Sequence, residues 1–180
     1  FYELKNVPHG QVREVFFHSE STNSERRAFV YTPPCYDSKL DKRYPVLYLQ
    51  HGWGENEYGW VQQGCVATIM DNLISEQKSN PFIIVMTYGM TNEIPMGGLR
   101  NFDISKFEKV LVGELVPFID KHFRTLSDRS HRAMAGLSMG SMETKQISLR
   151  NLDKFSCVGL FSGSTITKDD MKQPDEFKDK

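Results

Sequence analysis

The sequence has no long apolar run, no excess of charge of either sign and few cysteines. No stretch of about 18 consecutive apolar residues occurs, so no membrane-spanning helix is expected. The 22 Lys and Arg residues nearly balance 23 Asp and Glu residues, which gives a net charge of −1. This balance argues against a face that binds nucleic acid or a membrane surface. These absences exclude several protein classes without selecting a function.

Three widely spaced cysteines match neither a metal-binding motif nor a disulfide framework. Cys35, Cys65 and Cys157 are therefore predicted to be buried structural thiols. The chain begins at Phe1 rather than methionine and shows no signal-peptide pattern, so we expect a processed or excised segment. A length of 180 residues, 39% of them hydrophobic, suits one domain with a buried core.

Strand-like and helix-like segments alternate along the chain. The predicted strands are residues 12–18, 27–32, 45–50, 82–86, 132–135 and 157–162. The first two are rich in β-forming residues between turn residues, which predicts an antiparallel beginning. Later runs are continuously apolar, as is typical of strands covered on both faces. The alternation with helical segments indicates an α/β fold with a mostly parallel sheet.

Three helices are predicted between these strands. Helical spacing of apolar residues indicates one over residues 61–77, and another is predicted over residues 139–150. A third is expected after Asp103, a good N-cap residue, with an apolar stripe from Ile104 to His122. Pro117 is expected to kink this helix or to mark its last turns. The highly charged residues 168–180 are predicted to be solvated.

The sharpest motif is Gly136-Leu137-Ser138-Met139-Gly140, a GxSxG sequence between a predicted strand and a predicted helix. This context favours a nucleophile elbow, in which a sharp turn exposes the Ser138 hydroxyl above the carboxyl edge of the sheet. The two glycines would relieve crowding at the turn, and the Met139 N–H would donate to a developing oxyanion. The alternative interpretation is a simple glycine-rich turn.

A second oxyanion donor is expected in a loop that follows an earlier strand. The loop His51-Gly52-Trp53-Gly54 has this position, and the Trp53 N–H is the candidate donor. His51 is predicted to fix the loop through hydrogen bonds, with a role as catalytic base as the alternative. Trp60 is interpreted either as a core residue or as a wall of the substrate pocket.

Five segments of the chain form an ordered set: residues 31–34 (YTPP), 44–52 (YPVLYLQHG), 55–60 (ENEYGW), 114–119 (ELVPFI) and 132–140 (RAMAGLSMG). This set resembles the esterase D family of α/β-hydrolases and, within it, the feruloyl-esterase branch, carbohydrate esterase family one. The resemblance implies a mostly parallel sheet with helices on both faces. It also implies a secreted serine esterase, without metal or cofactor, that cuts hydroxycinnamoyl esters such as ferulate from arabinoxylan.

The resemblance also implies roles for individual residues. It makes Ser138 the nucleophile and the backbone N–H groups of Trp53 and Met139 the oxyanion hole. Supporting positions in the loop and the elbow are His51, Gly52, Gly136 and Gly140. Ser141 stands where a second glycine is usual in the family and is expected to tighten the packing behind the elbow.

The sequence contains no histidine after Ser138, although a serine nucleophile needs a base. In this fold the triad acid and histidine follow the serine along the chain. His122 and His131 are poor substitutes, since His131 begins a strand that extends about 23 Å to the elbow. We therefore expect the triad acid and histidine to lie outside this sequence, in a C-terminal segment or a second polypeptide. Residues 1–180 would then be the N-terminal two-thirds of one hydrolase domain, without its C-terminal strands.

Two groups of alternatives remain at this point. The same chemistry could act on another acyl group: acetylated xylan, a siderophore ester or the thioester S-formylglutathione. A catalytically silent carbohydrate-binding module on the same scaffold is a different class, motivated by the absent base. The loop of residues 90–100 is expected to line the acyl pocket.

Overall fold

Six strands form one mixed sheet in a computed structural model of the chain, which describes residues 1–91 and 104–170. The strand order is β1-β2-β4-β3-β5-β6. The strands are β1 (Gln11–Ser19), β2 (Ser24–Thr32), β3 (Val46–Gln50), β4 (Ile83–Thr87), β5 (Arg132–Leu137) and β6 (Cys157–Phe161). β1 runs antiparallel to β2, and β2 to β4, whereas β4, β3, β5 and β6 are parallel. All six strands overlap the predicted ones, and the antiparallel beginning is confirmed.

One face of the sheet is covered by helix α1 (Val66–Ser75) and a π-helical turn (Gly59–Gln63) that precedes it. The single helix predicted over residues 61–77 is therefore wrong. The break lies at Cys65, whose φ of 49° is left-handed and cannot continue a helix. Val66 and Met70 of α1 pack with alternate side chains of the strands in one core cluster.

The other face is covered by a long helical segment and by α4 (Met139–Arg150). The long segment consists of α2 (Ser105–Glu108), a π-helical stretch (Lys109–Leu115) and α3 (Val116–His122). Asp103, its predicted N-cap, lies outside the described residues. The side chains of β3 alternate between the two core clusters, so the sheet has helices on both faces as predicted.

The predicted apolar stripe fails in its last turn. The wide turns of the π-helical stretch rotate the face that follows, so that Val116 and Ile119 are buried instead of His122. His122 is exposed, and its Nδ1 lies 2.8 Å from the Phe118 carbonyl oxygen. Pro117 stands in the first turn of α3, just after the π-helical stretch, where its missing N–H is accommodated.

The prediction of three buried cysteines is wrong. Cys35 and Cys157 are exposed, Cys65 is half-buried, and all three are free thiols. Cys35 and Cys65 occupy turn positions with left-handed φ angles of 65° and 49°, which keep them near the surface. Cys157 begins the edge strand β6, where Val158 and Phe161 are also exposed. Within residues 1–91 and 104–170, no helix is long and apolar enough to cross a membrane.

Candidate active site

Ser138 lies at the junction of β5 and α4, in the sharp turn that the sequence predicts. Its backbone has φ 53° and ψ −109°, a conformation that costs a non-glycine residue about 1–3 kcal/mol. The Ser138 N–H donates to the Phe161 carbonyl at 2.8 Å, which ties the turn to the end of β6. The side chain is half-buried, and its hydroxyl makes no hydrogen bond to any described residue. The hydroxyl is thus held at the carboxyl edge of the sheet.

The two glycines of the motif stand where the backbone segments approach most closely. A Cβ atom added to Gly136 would lie 2.2 Å from the Gly140 carbonyl oxygen. A Cβ atom added to Gly140 would lie 2.6 Å from the His51 carbonyl oxygen and 2.8 Å from the Gln50 Cβ. Any side chain at either position would push α4 away from β5 or from the end of β3. The crowding expected from the motif is therefore present.

Met139 is the first residue of α4, and its side chain is fully buried. The N–H of a first helical residue has no acceptor in a preceding turn of the helix. The partial positive charge of the helix N-terminus also favours an anion there. The position of Met139 directly after Ser138 therefore suits an oxyanion donor.

The loop after β3 is folded tightly beside the elbow. The Gly52 N–H donates to Glu55 Oε2 at 2.6 Å, and the Glu55 N–H donates to the Gly52 carbonyl at 3.2 Å. A Cβ atom on Gly52 would come within 3.7 Å of the Leu137 carbonyl oxygen. Trp53 follows directly and has a side chain that is 39% exposed. Glu55 holds this loop in shape, a role that the sequence alone did not reveal.

His51 uses both ring nitrogens within the protein. Its Nδ1 lies 2.8 Å from the Gly52 carbonyl oxygen, and its Nε2 accepts the Gly89 N–H at 3.0 Å. The ring stacks on Tyr88 with a centroid distance of 5.5 Å. Burial lowers the pKa of His51, which favours the neutral imidazole that this pattern requires. The imidazole therefore joins two loops and has no free nitrogen to serve as a base.

The loop after β4 carries polar residues that sequence patterns did not single out. The buried Arg26 guanidinium donates to the carbonyls of Tyr88 and Met90. A Cβ atom on Gly89 would lie 2.6 Å from Glu143 Oε1, so this carboxyl group touches the loop. Arg26 and Glu143 are far apart in sequence, and only the folded sheet and α4 bring them to the same loop.

Glu143 is fully buried, and neither carboxyl oxygen has a hydrogen-bond partner among the described residues. Burial raises the pKa of Glu143 well above its usual range, although the positive charge of Arg26 acts in the opposite direction. Burial therefore favours the protonated form of this carboxyl group. In the sequence, this residue is visible only as a glutamate in α4, five residues after the nucleophile. The structure shows that it lies on the buried face of the helix.

Ser141 connects the elbow to the loop after β6. Its buried hydroxyl accepts the Ser164 N–H at 2.8 Å. A Cβ atom on Gly163 would lie 2.6 Å from the Ser138 carbonyl oxygen and 2.8 Å from the Ser141 Cβ. The expectation that Ser141 tightens the packing behind the elbow is confirmed.

Trp60 is half-buried and packs against the core. Its indole N–H donates to the Gln50 carbonyl at 2.9 Å, and its ring packs against the cluster beneath α1. The predicted acyl-pocket loop is described only at Met90 and Thr91, since residues 92–103 lie outside the described residues.

The four remaining histidines have partners away from the elbow. His9 contacts Asp71 at 2.9 Å, His18 contacts Glu25 at 2.8 Å, and His131 contacts Asp128 at 2.8 Å. His122 contacts a carbonyl of its own helix, as described above. Within the described residues, no histidine contacts Ser138.

Comparisons with known proteins agree with this geometry. A family model described as "Putative esterase" matches residues 19–179. The chain is 50% identical over 177 residues to a Xylanibacter ruminicola protein named "Endo-1,4-beta-xylanase/feruloyl esterase", a match covering 97% of this chain. The chain spans only 24% of that relative's length.

Solved structures also resemble the chain. One is a "ferulic acid esterase" with a TM-score of 0.74 and 32% identity, covering 85% of this chain and 59% of that one. Another is a CE1 ferulic acid esterase from Anaeromyces mucronatus, with a TM-score of 0.78 and 22% identity. That match covers 93% of this chain and 69% of the other, and at this identity it shows a common fold.

Proposed function

The chain belongs to the esterase family, and from this we propose that it carries the nucleophile of a serine carboxylic ester hydrolase with the α/β-hydrolase fold. The observation that carries the proposal is the strained backbone of Ser138 between β5 and α4, enclosed by two glycines that leave no room for side chains. A strained serine whose hydroxyl bonds to none of the described residues has little structural use there, whereas a nucleophile requires such a turn.

In the proposed reaction, a base removes the hydroxyl proton of Ser138 while its oxygen attacks the ester carbonyl. The N–H groups of Met139 and Trp53 hold the resulting oxyanion, and each donor lowers the barrier by about 3 kcal/mol. Collapse of this intermediate releases the alcohol with the proton and leaves an acyl group on the serine. Water then attacks the acyl-enzyme, releases the acid and restores the serine.

We propose that the base and the acid that orients it come from outside this sequence. The support is chemical: His51 has both nitrogens engaged, and the other four histidines lie against different partners. The exposed side chains of Val158 and Phe161 on the edge strand β6 fit a sheet that is extended by further strands. Either a C-terminal segment or a second polypeptide would supply these parts.

We propose a feruloyl ester of arabinoxylan as the substrate. The support is the 50% identity to a protein named xylanase/feruloyl esterase and the 32% identity to a ferulic acid esterase. Because such a polymer lies in the plant cell wall, the enzyme would act outside the cell. No metal or cofactor takes part in the proposed steps.

The test compares two esters in the full-length polypeptide that contains this chain. We expect hydrolysis of methyl ferulate and stoichiometric labelling by a fluorophosphonate probe, both abolished by Ser138→Ala. Activity on S-formylglutathione alone would move the proposal to a thioesterase. Failure of the wild-type protein to label would instead favour a silent carbohydrate-binding module on the same scaffold.

A further inference from the structure

We propose that a groove on the β1–β2 side of the candidate active site binds the sugar part of the ester substrate. This inference rests on the proposed function and adds a binding site to it. The groove, called here the hairpin groove, has a volume of about 380 Å³ and is lined mainly by Phe16, Glu25, Arg26, Arg27, Glu57 and Tyr88.

The topology of the sheet places the hairpin groove on the same edge as Ser138. Tyr88 follows β4 directly, and the antiparallel pairing of Ala28 with Thr87 sets Arg27 beside it. Since β3 separates β4 from β5, the ends of β4 and β5 are two strand spacings apart, about 10 Å. His51, which follows the end of β3, stacks its ring on Tyr88. In this proposal, a ligand with its acyl group at Ser138 extends past the end of β3 to reach the groove.

The walls of the groove are rigid. The Arg27 guanidinium donates to Glu57 Oε1 from two nitrogens, at 2.8 and 2.6 Å, and lies 4.6 Å from the Tyr58 ring centroid. Arg26 is fixed by two backbone carbonyls, as described above. These contacts hold the polar groups in place before a ligand arrives, which lowers the entropy lost on binding.

The groove combines an exposed aromatic surface with polar side chains. Phe16 is 60% exposed, and Tyr88 is half-buried. Among the described residues, neither the Tyr88 hydroxyl nor Glu57 Oε2 has a hydrogen-bond partner. An aromatic ring packs against the C–H face of a sugar, while the carboxylate oxygen and the phenol bind its hydroxyl groups.

Charge favours a neutral ligand in this groove. The lining holds two guanidinium groups, of Arg26 and Arg27, and two carboxylates, of Glu25 and Glu57, so its formal charges balance. A neutral oligosaccharide fits this combination of balanced charge, aromatic surface and hydroxyl-binding atoms. With the acyl carbon at Ser138, the alcohol side of the ester would extend into the groove.

The test separates the sugar from the reacting ester. In the full-length polypeptide, Phe16→Ala is expected to lower kcat/KM about tenfold on a feruloylated arabinoxylo-oligosaccharide, mainly through KM, and to leave methyl ferulate hydrolysis unchanged. Phe16→Trp, which keeps an aromatic surface, is expected to restore most of the loss. Leu40→Ala is the matched control, because Leu40 is 71% exposed and lies outside the groove.

A binding measurement keeps this test independent of catalysis. The Ser138→Ala protein is titrated calorimetrically with the same oligosaccharide after removal of its ferulate. We expect binding that Phe16→Ala weakens and Leu40→Ala does not. No binding, binding that Phe16→Ala leaves unchanged, or an equal loss on both esters would overturn the groove proposal. If the wild-type protein hydrolysed neither of the two esters, the proposed function would be overturned. The titration would still show whether the groove binds the sugar.

Discussion

Gly136 and Gly140 determine how closely three backbone segments approach each other around Ser138. The first allows α4 to lie against β5, and the second allows α4 to lie against the carbonyl of His51. Both contacts are between backbone atoms, which cannot rotate away as a flexible side chain can. The geometry of the elbow thus depends on the absence of two Cβ atoms, although neither glycine has a positive φ.

Gly140→Ala is expected to destabilise the protein by about 1–3 kcal/mol, because the new Cβ must displace α4 from the loop of His51. Fluorophosphonate labelling of Ser138 should slow with it, since the Met139 N–H moves with the helix. Denaturant unfolding and the labelling rate measure the two effects.

The matched control is Gly113→Ala, whose Cβ would meet no atom within 4 Å. This change lies in an exposed helical position and is expected to be neutral or to stabilise by about 0.5–1 kcal/mol. Equal effects of the two substitutions would contradict the role given to the crowding at Gly140.

Glu143 predicts a pH dependence of stability. Because its pKa is raised in the folded protein, the native state keeps a proton that the unfolded chain loses above its ordinary pKa of 4.5. The contribution of Glu143 to the free energy of unfolding is therefore greatest below that pH. It decreases as the pH rises toward the pKa of the native state. Glu143→Gln cannot ionise, so its free energy of unfolding relative to wild type should increase with pH above 4.5.

Urea unfolding of both proteins over a pH series measures this difference. Groups that titrate equally in the two proteins do not contribute to it. Glu20→Gln serves as the control, because the Glu20 side chain is 91% exposed. A pH-independent difference between wild type and Glu143→Gln would show that Glu143 ionises normally in the native state.

At the scale of elements, the elbow is supported from the side of β6. The Phe161 carbonyl accepts the Ser138 N–H, and the Ser141 hydroxyl accepts the Ser164 N–H. The loop after β6 thus packs directly behind the nucleophile, with Gly163 at its closest approach. Whatever follows this loop along the chain starts from a position fixed relative to Ser138.

Ser141→Ala removes the acceptor of the Ser164 N–H and is expected to cost about 1 kcal/mol. The labelling rate of Ser138 should also fall, since the loop behind it loosens. Ser148→Ala is the control: Ser148 is equally buried on α4, but its hydroxyl donates to the Lys145 carbonyl of the same helix. A labelling rate that responds equally to both changes would mean that the loop after β6 does not support the elbow.

The elements themselves were largely predictable, because strands covered on both faces have continuous apolar runs and α4 follows its motif immediately. The failures are instructive. A π-helical stretch has more residues per turn than the α-helix assumed for the apolar stripe, so the burial of Val116 and Ile119 in place of His122 was not predicted. The helix breaks at Cys65 because this one residue has a left-handed backbone conformation. Such a conformation is not expected for a cysteine from its sequence.

For the whole molecule, the order of strands decides which residues meet. Ser138 and the loop of His51 were predictable as neighbours, since both follow parallel strands that end at the same edge. Arg26 and Glu143 were not, because their meeting depends on the antiparallel addition of β2 beside β4 and on the face of α4 that turns inward. Local patterns identify the nucleophile, whereas its buried polar surroundings arise from long-range packing.

The positions of the histidines in the whole molecule also predict that four of them do not act as the catalytic base. His9, His18, His122 and His131 lie against partners other than Ser138, so their replacement by alanine in the full-length polypeptide should change the labelling rate by no more than about twofold. Loss of a true triad histidine lowers the catalytic rate about 10⁶-fold. A loss of that size in one of these four variants would place the base within residues 1–180. Retention of the rate in all four, together with its loss on replacement of a histidine outside this sequence, would establish that the site is completed from beyond it.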